Sequence, residues 1–266
     1  VIKNKVVSPK YNDSIVPYID LDIKGSALYK NRLMMLDIIA NNNWKRPVYF
    51  SGGAFDDEDY IWMKNYLQLD GMVYKLVPVK TAIPKNGGLL EMGQIDSDKM
   101  YANVMKWDWG NSESTSIYHD PETRRNSITY RTNLARLMNK LIREGKNDKA
   151  KNIIDLAMAK MPLEKFDYYS LIDPFAKGYY AIGEKAKAKE LLQQLITKYK
   201  ENLDYYSKLE PSEQTDIAIE IITDIERYRG LLQVMKESGD IAFYNKSKIP
   251  FNTYVNIFER FGREKE

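Results

Sequence analysis

The sequence has no cysteine and only one histidine among its 266 residues. The first absence excludes disulfides and thiolate metal sites, and it leaves cytoplasm and periplasm equally open. The second excludes multi-histidine metal centres. His119, in the run Tyr118-His119-Asp120-Pro121, has an acid beside it but neither a triad nor a ligand set, so no catalytic residue, metal or cofactor is assigned. No stretch of about 18 apolar residues is present, so none of these residues forms a membrane span. Neither charge is in excess. Forty basic and 37 acidic residues give a net charge of +3, and they are interspersed. Nucleic acid asks for a concentrated basic face, and that partner is not expected. No signal peptide stands at the start. The chain begins at Val1 rather than Met, which reads as a piece of a longer protein, so the missing signal says nothing about location.

Tyrosine and tryptophan are abundant, with 20 and 4 residues. Aromatics at that density serve packed helices first and ligand-facing surfaces second. The length allows one or two domains, each with a real core.

Residues 42–79 organise the first part. Residues 48–50 form a short β-prone run after Pro47, residues 56–68 have helical spacing, and residues 72–79 form a second β-prone run. Strand, helix, strand predicts a βαβ-like unit with the strands over 48–50 and 73–77 in one parallel sheet, because a parallel pair needs a crossover. Leu69-Asp70-Gly71 reads as the exit of that helix. The Gly52-Gly53 pair lacks the spacing of a phosphate-binding fingerprint and reads as a tight turn. The acids 56–59 lack the alternation of a calcium loop and suit the positive end of a helix dipole. Upstream, residues 1–22 are extended in character, and residues 28–40 have helical spacing with Leu28, Leu33, Met35, Leu36 and Ile39 on one side. A short helix is predicted over 98–107, capped by Ser97 or Asp98. Residues 111–126 are polar and irregular, and the domain boundary is placed there.

From Ile128 the pattern is helical. Leu134, Leu137, Met138 and Leu141 recur at helix spacing, Gly145 interrupts, and Ala150, Ile153, Ile154, Ala157 and Met161 follow before Pro162. This matches a tetratricopeptide unit, with glycine in the turn and alanine at the helix crossing. A second copy is offset by 38 residues, pairing Gly183 with Gly145 and Ala188 with Ala150. A weaker third copy has Gly239 as its turn, with Tyr244 where the alanine is expected.

Trp44-Lys45-Arg46 sets an aromatic beside two cations. It can grip a sugar, a phosphate or a lipid headgroup, although the plainer reading packs Trp44 under the strand with Lys45 and Arg46 in solvent.

The runs Leu36-Asp37-Ile38-Ile39-Ala40-Asn41-Asn42, Trp44-Lys45-Arg46-Pro47-Val48-Tyr49-Phe50, Tyr66-Leu67-Gln68-Leu69-Asp70-Gly71 and Tyr74-Lys75-Leu76-Val77-Pro78-Val79 carry a resemblance. They resemble a family of large polytopic membrane proteins of Gram-negative bacteria, first catalogued as of unknown function. That family is similar to protein O-mannosyltransferases and is classed among the glycosyltransferases. The resemblance implies the soluble portion after the membrane spans, on the periplasmic side of the inner membrane. It implies a lipid-linked sugar donor and a catalytic acid in a membrane-part loop absent here, so no catalytic residue is carried onto this chain.

The fold expected is α+β, mainly α: a small α/β domain over 1–126, then tetratricopeptide-like helical repeats over 127–266. The function expected is a non-catalytic accessory domain that binds a protein or glycan acceptor and reaches the membrane through the missing N-terminal part. A soluble carbohydrate-active enzyme domain and a purely structural assembly module are the alternatives. Mapped through the glycine registers, the positions that tetratricopeptide units turn toward their groove are Thr132, Asn139, Arg143, Ser170, Asp173, Lys177 and Tyr180. Trp44, Lys45 and Arg46 form the second candidate surface.

Overall fold

A computed structural model describes residues 1–23, 27–51, 58–81, 92–167 and 169–262, with the backbone alone at 58–61 and 262. The Gly52-Gly53 turn, Asp56 and Asp57 lie outside the described residues. The fold is α+β and mainly α, a small antiparallel sheet followed by a long series of helices. It divides into two compact units. Unit 1 comprises Val1–Gly110 and Thr132–Lys140, and unit 2 comprises Asn111–Arg131 and Leu141–Glu266.

Unit 1 begins with a 3-10 helix, Pro9–Ser14, inside the stretch expected to be extended, and Pro9 takes the first helical position. Helix α1 (Lys30–Asn41) follows. Strands β1 (Tyr49–Phe50), β2 (Leu67–Asp70) and β3 (Val73–Leu76) form one sheet in the order β1-β3-β2. Both pairings are antiparallel, with Tyr49 opposite Lys75 and Asp70 opposite Val73. The expected parallel sheet is therefore corrected, and so is the helix over 56–68. Asp70-Gly71 is not a helix exit. Gly71, at φ 79°, opens a two-residue hairpin turn that joins β2 directly to β3. The helical spacing before it survives as a 3-10 helix, Glu58–Tyr66, and Leu67 already belongs to the strand. A Cβ on Gly71 would stand 2.8 Å from the Trp107 ring, so glycine here also lets the turn lie against that indole.

One sheet face carries Leu67, Leu76, Phe50 and Tyr74 into a core with Met63, Tyr66 and Met92, over which Ile19, Leu21, Met35, Leu36 and Ile39 close. The next residue on each strand makes a polar row: Tyr49, Lys75 and Gln68 are cross-strand neighbours, and Gln68 bridges to Gln94. Helix α2 (Ser97–Val104) is capped by Asp96, one residue earlier than expected, which accepts from the Lys99 amide and from Lys10 Nζ at 2.7 Å.

Helix α3 (Pro121–Arg143) starts well before Ile128. Asp120 accepts from the amides of Glu122 and Thr123, and Pro121 follows the cap. Its segment 132–140 belongs to unit 1, where Asn133 donates to the Gly71 carbonyl and Arg136 to the carbonyls of Met92 and Gly93.

Unit 2 is built of helical hairpins. They join α3 to α4 (Asn147–Lys160), α6 (Asp173–Ala181) to α7 (Lys185–Tyr206), and α9 (Ala218–Glu237) to α10 (Ile241–Ile257). Short α5 (Leu163–Phe166) and α8 (Pro211–Asp216) fill the links, and α11 (Glu259–Gly262) ends the series. The three turns are alike. Gly145, Gly183 and Gly239 sit at φ 71°, 86° and 71°. In each, the residue after the glycine donates its amide five residues back, to Leu141, Tyr179 and Met235, while the glycine itself donates to Ile142, Tyr180 and Lys236. That is the paired bonding by which a left-handed glycine closes a helix end. Antiparallel pairing shows across the turns: Arg131 reaches the Met161 carbonyl, and the Tyr228 hydroxyl reaches the Ser247 carbonyl at 3.0 Å. Ala150 and Ala188 are fully buried, as a close helix contact requires, whereas Tyr244 is half-buried.

Candidate functional sites

In unit 1 the Trp44 turn is held from several sides. Asn42 donates its side-chain amide to the Arg46 carbonyl at 2.7 Å and accepts from the Arg46 amide, while Asn4 donates to the Trp44 carbonyl at 2.8 Å. Asn43 and Trp44 both take positive φ, 45° and 57°. For a side chain as bulky as tryptophan that conformation costs about 1–2 kcal/mol, so the bracing keeps a strained turn in place. Trp44 is half-buried, packing on the sheet-face core and on the valine cluster of Val6, Val7, Val77 and Val79, while Lys45 and Arg46 are exposed. The plain reading of those three residues thus describes their packing, with one addition that sequence could not supply. Trp44 lines a cavity of about 460 Å³ together with Pro17, Tyr18, Leu21, Ile39 and Met63. Among the described residues of its lining, Asn43 alone has an amide or charged side chain.

Buried polar groups of unit 1 gather on the other sheet face. Lys75 is 1% exposed, donates to the Lys5 carbonyl at 3.1 Å and lies 5.9 Å from the Tyr49 ring. Burial, reinforced by neighbouring Lys99, lowers its ammonium to about 8.

In unit 2 the expected groove residues occupy different environments. Arg143 and Ser170 are exposed. Lys177 lies 3.4 Å from Glu237, and the Tyr180 hydroxyl donates to buried Asp240 at 3.0 Å, so both engage the third hairpin. Asp173, half-buried at the start of α6, has an Oδ1 without a hydrogen-bond partner, and burial raises its carboxyl to about 6. Thr132, half-buried, and Asn139, exposed, fall within the segment counted with unit 1. A second cavity, about 450 Å³, lies beside Asp155, which accepts from the Tyr179 hydroxyl at 2.6 Å and from Lys151 and Lys187. Burial pushes Asp155 up, but those three donors outweigh it and hold its carboxyl below the ordinary range. Sequence reasoning missed this cluster, because Asp155 and Lys187 are 32 residues apart and only the hairpin stack joins them.

His119 stacks on Phe166 at 4.6 Å, and its Nε2 bonds the Ser112 carbonyl at 2.8 Å, which gives it a packing role. Among the described residues no group of acids and histidine could hold a metal, and no helix is long and apolar enough to cross a membrane.

The fold and its sites define a two-unit chain: a small mixed unit with an apolar cavity, then stacked helical hairpins. Residues 1–99 match the model of the family described as TMEM260-associated domain 2, so this part of the chain is similar to that family. No curated protein matches, and no solved structure does.

Proposed function

We propose that this chain is a non-catalytic accessory domain of a polytopic membrane protein resembling glycosyltransferases, on the periplasmic side of the inner membrane, where it holds a protein or glycan acceptor. The match over residues 1–99 supports the membrane-protein setting. The observation that carries the binding role is the series of three hairpins closed by the same glycine turn. We read them as tetratricopeptide-like units, each contacting its neighbours and together offering an extended surface. The exposed residues Arg143 and Ser170 are the acceptor-facing ones in this reading. A structural assembly module is the second reading, favoured by the exposure of Leu33, Met34 and Ile38 on α1.

A photo-crosslinking amino acid at Ser170 tests the first reading in the intact membrane protein. Trapping of acceptor from Ser170, but not from exposed Thr197 on α7, is the expected result. Equal trapping from both positions would contradict it.

A further inference from the structure

We propose that the Trp44 cavity of unit 1 is a binding site for a single aliphatic chain whose anionic headgroup rests against Lys45 and Arg46.

The cavity lining favours some ligand chemistries and disfavours others. A sugar or nucleotide inside it would leave hydroxyls facing Leu21, Ile39 and Met63, and polar groups buried without partners are strongly disfavoured. An aliphatic chain has no such groups and gains roughly 25 cal/mol for each Å² that the cavity takes out of water. The volume, about 460 Å³, lies within the usual range for a small-molecule site. Part of the apolar lining is exposed: Tyr18 is 69% exposed and Ile23 is 41% exposed.

The rim then decides the headgroup. Lys45 and Arg46 directly follow Trp44, are exposed, and form no side-chain ion pair among the described residues. The turn that presents them is braced by Asn42 and Asn4, so both cations leave the same fixed point. Asp20 stands exposed on the strap between Ile19 and Leu21, which line the cavity. An anionic headgroup is therefore attracted to the Trp44 side and repelled from the strap, which orients the chain as well as binding it.

The test is fluorescence titration of the purified chain with a dansyl-labelled fatty acid, followed by displacement. Saturable binding displaced by palmitate, and at least tenfold less readily by hexadecylamine, is expected. A preference for the amine would place the headgroup on the Asp20 side and overturn the proposal. Displacement by phosphatidylglycerol vesicles as well as palmitate would show that the chain can come from a bilayer lipid, whereas displacement by palmitate alone would identify a free amphiphile. Ala40→Phe, at an exposed lining position, should weaken the probe at least tenfold with an unchanged circular dichroism spectrum. The Lys45→Glu/Arg46→Glu pair should abolish the preference for palmitate over the amine. No saturable binding by the unaltered chain, or binding that a folded Ala40→Phe chain retains in full, would overturn the proposal.

Discussion

Lys75, Arg131 and Asp173 are among the charged residues that burial takes out of water. Arg131 is fully buried, yet it stays charged, because burial lowers its guanidinium only to about 10 and it donates to the carbonyls of Met161 and Asp167. Those two bonds tie the link after α4 back onto α3. Asp173 has less. Its Oδ1 lacks a partner, its own backbone amide and the distant Lys177 and Arg227 offset burial only in part, and the nearby Tyr199 hydroxyl is also buried without a partner. A carboxyl raised from 3.8 to about 6 binds its proton more tightly in the folded chain than in the unfolded one. The stability it contributes is present in full below pH 3.8 and is lost as pH rises through about 6. Asp173→Asn removes that loss. It should raise stability by about 1–3 kcal/mol near pH 7 and leave it nearly unchanged near pH 4, as read by urea denaturation at the two values. Equal effects at both would show that the carboxyl is not strained. None of these three was visible in the sequence, since a charged residue in a mixed-charge helix reads as solvated until the neighbouring helices are placed.

At the scale of elements, glycine carried the most legible information. Gly145, Gly183 and Gly239 were assigned to turns from spacing alone, and all three close hairpins by the same pair of hydrogen bonds. The alanines five residues after the first two glycines are fully buried. Ala150→Leu should therefore overpack the site and lower the free energy of unfolding by about 1–3 kcal/mol, read as a lower urea midpoint, and an unchanged midpoint would mean that Ala150 has room around it. Gly71 was misread for a physical reason. The spacing over 58–66 is helical and holds a 3-10 helix, which drew Leu69 and Asp70 into the same element. Gly71, at the first position of the two-residue loop Gly71-Met72, is the stronger local signal, and it made an antiparallel hairpin where a crossover had been expected. Similarly, Asp96 rather than Ser97 or Asp98 caps α2, a one-residue difference that side-chain chemistry alone does not resolve.

At the scale of the whole molecule, the fold class and the hairpin series were legible because both rest on short-range periodicity. The Trp44 cavity and the Asp155 cluster were not, because each assembles residues from distant segments: Tyr18, Ile39 and Met63 in the first, Asp155 and Lys187 in the second. The candidate groove residues were chosen by register, and register does not foresee that Lys177 and Tyr180 turn toward Glu237 and Asp240. The proposed function has this chain bind an acceptor while catalysis resides elsewhere in a longer membrane protein. The direct measurement incubates the purified chain with a polyprenyl-linked sugar and acceptor peptide, following peptide binding by anisotropy and sugar transfer by mass spectrometry. Saturable peptide binding with no glycosylated product is the expected result. Product that disappears when a single carboxylate of this chain is replaced would contradict it.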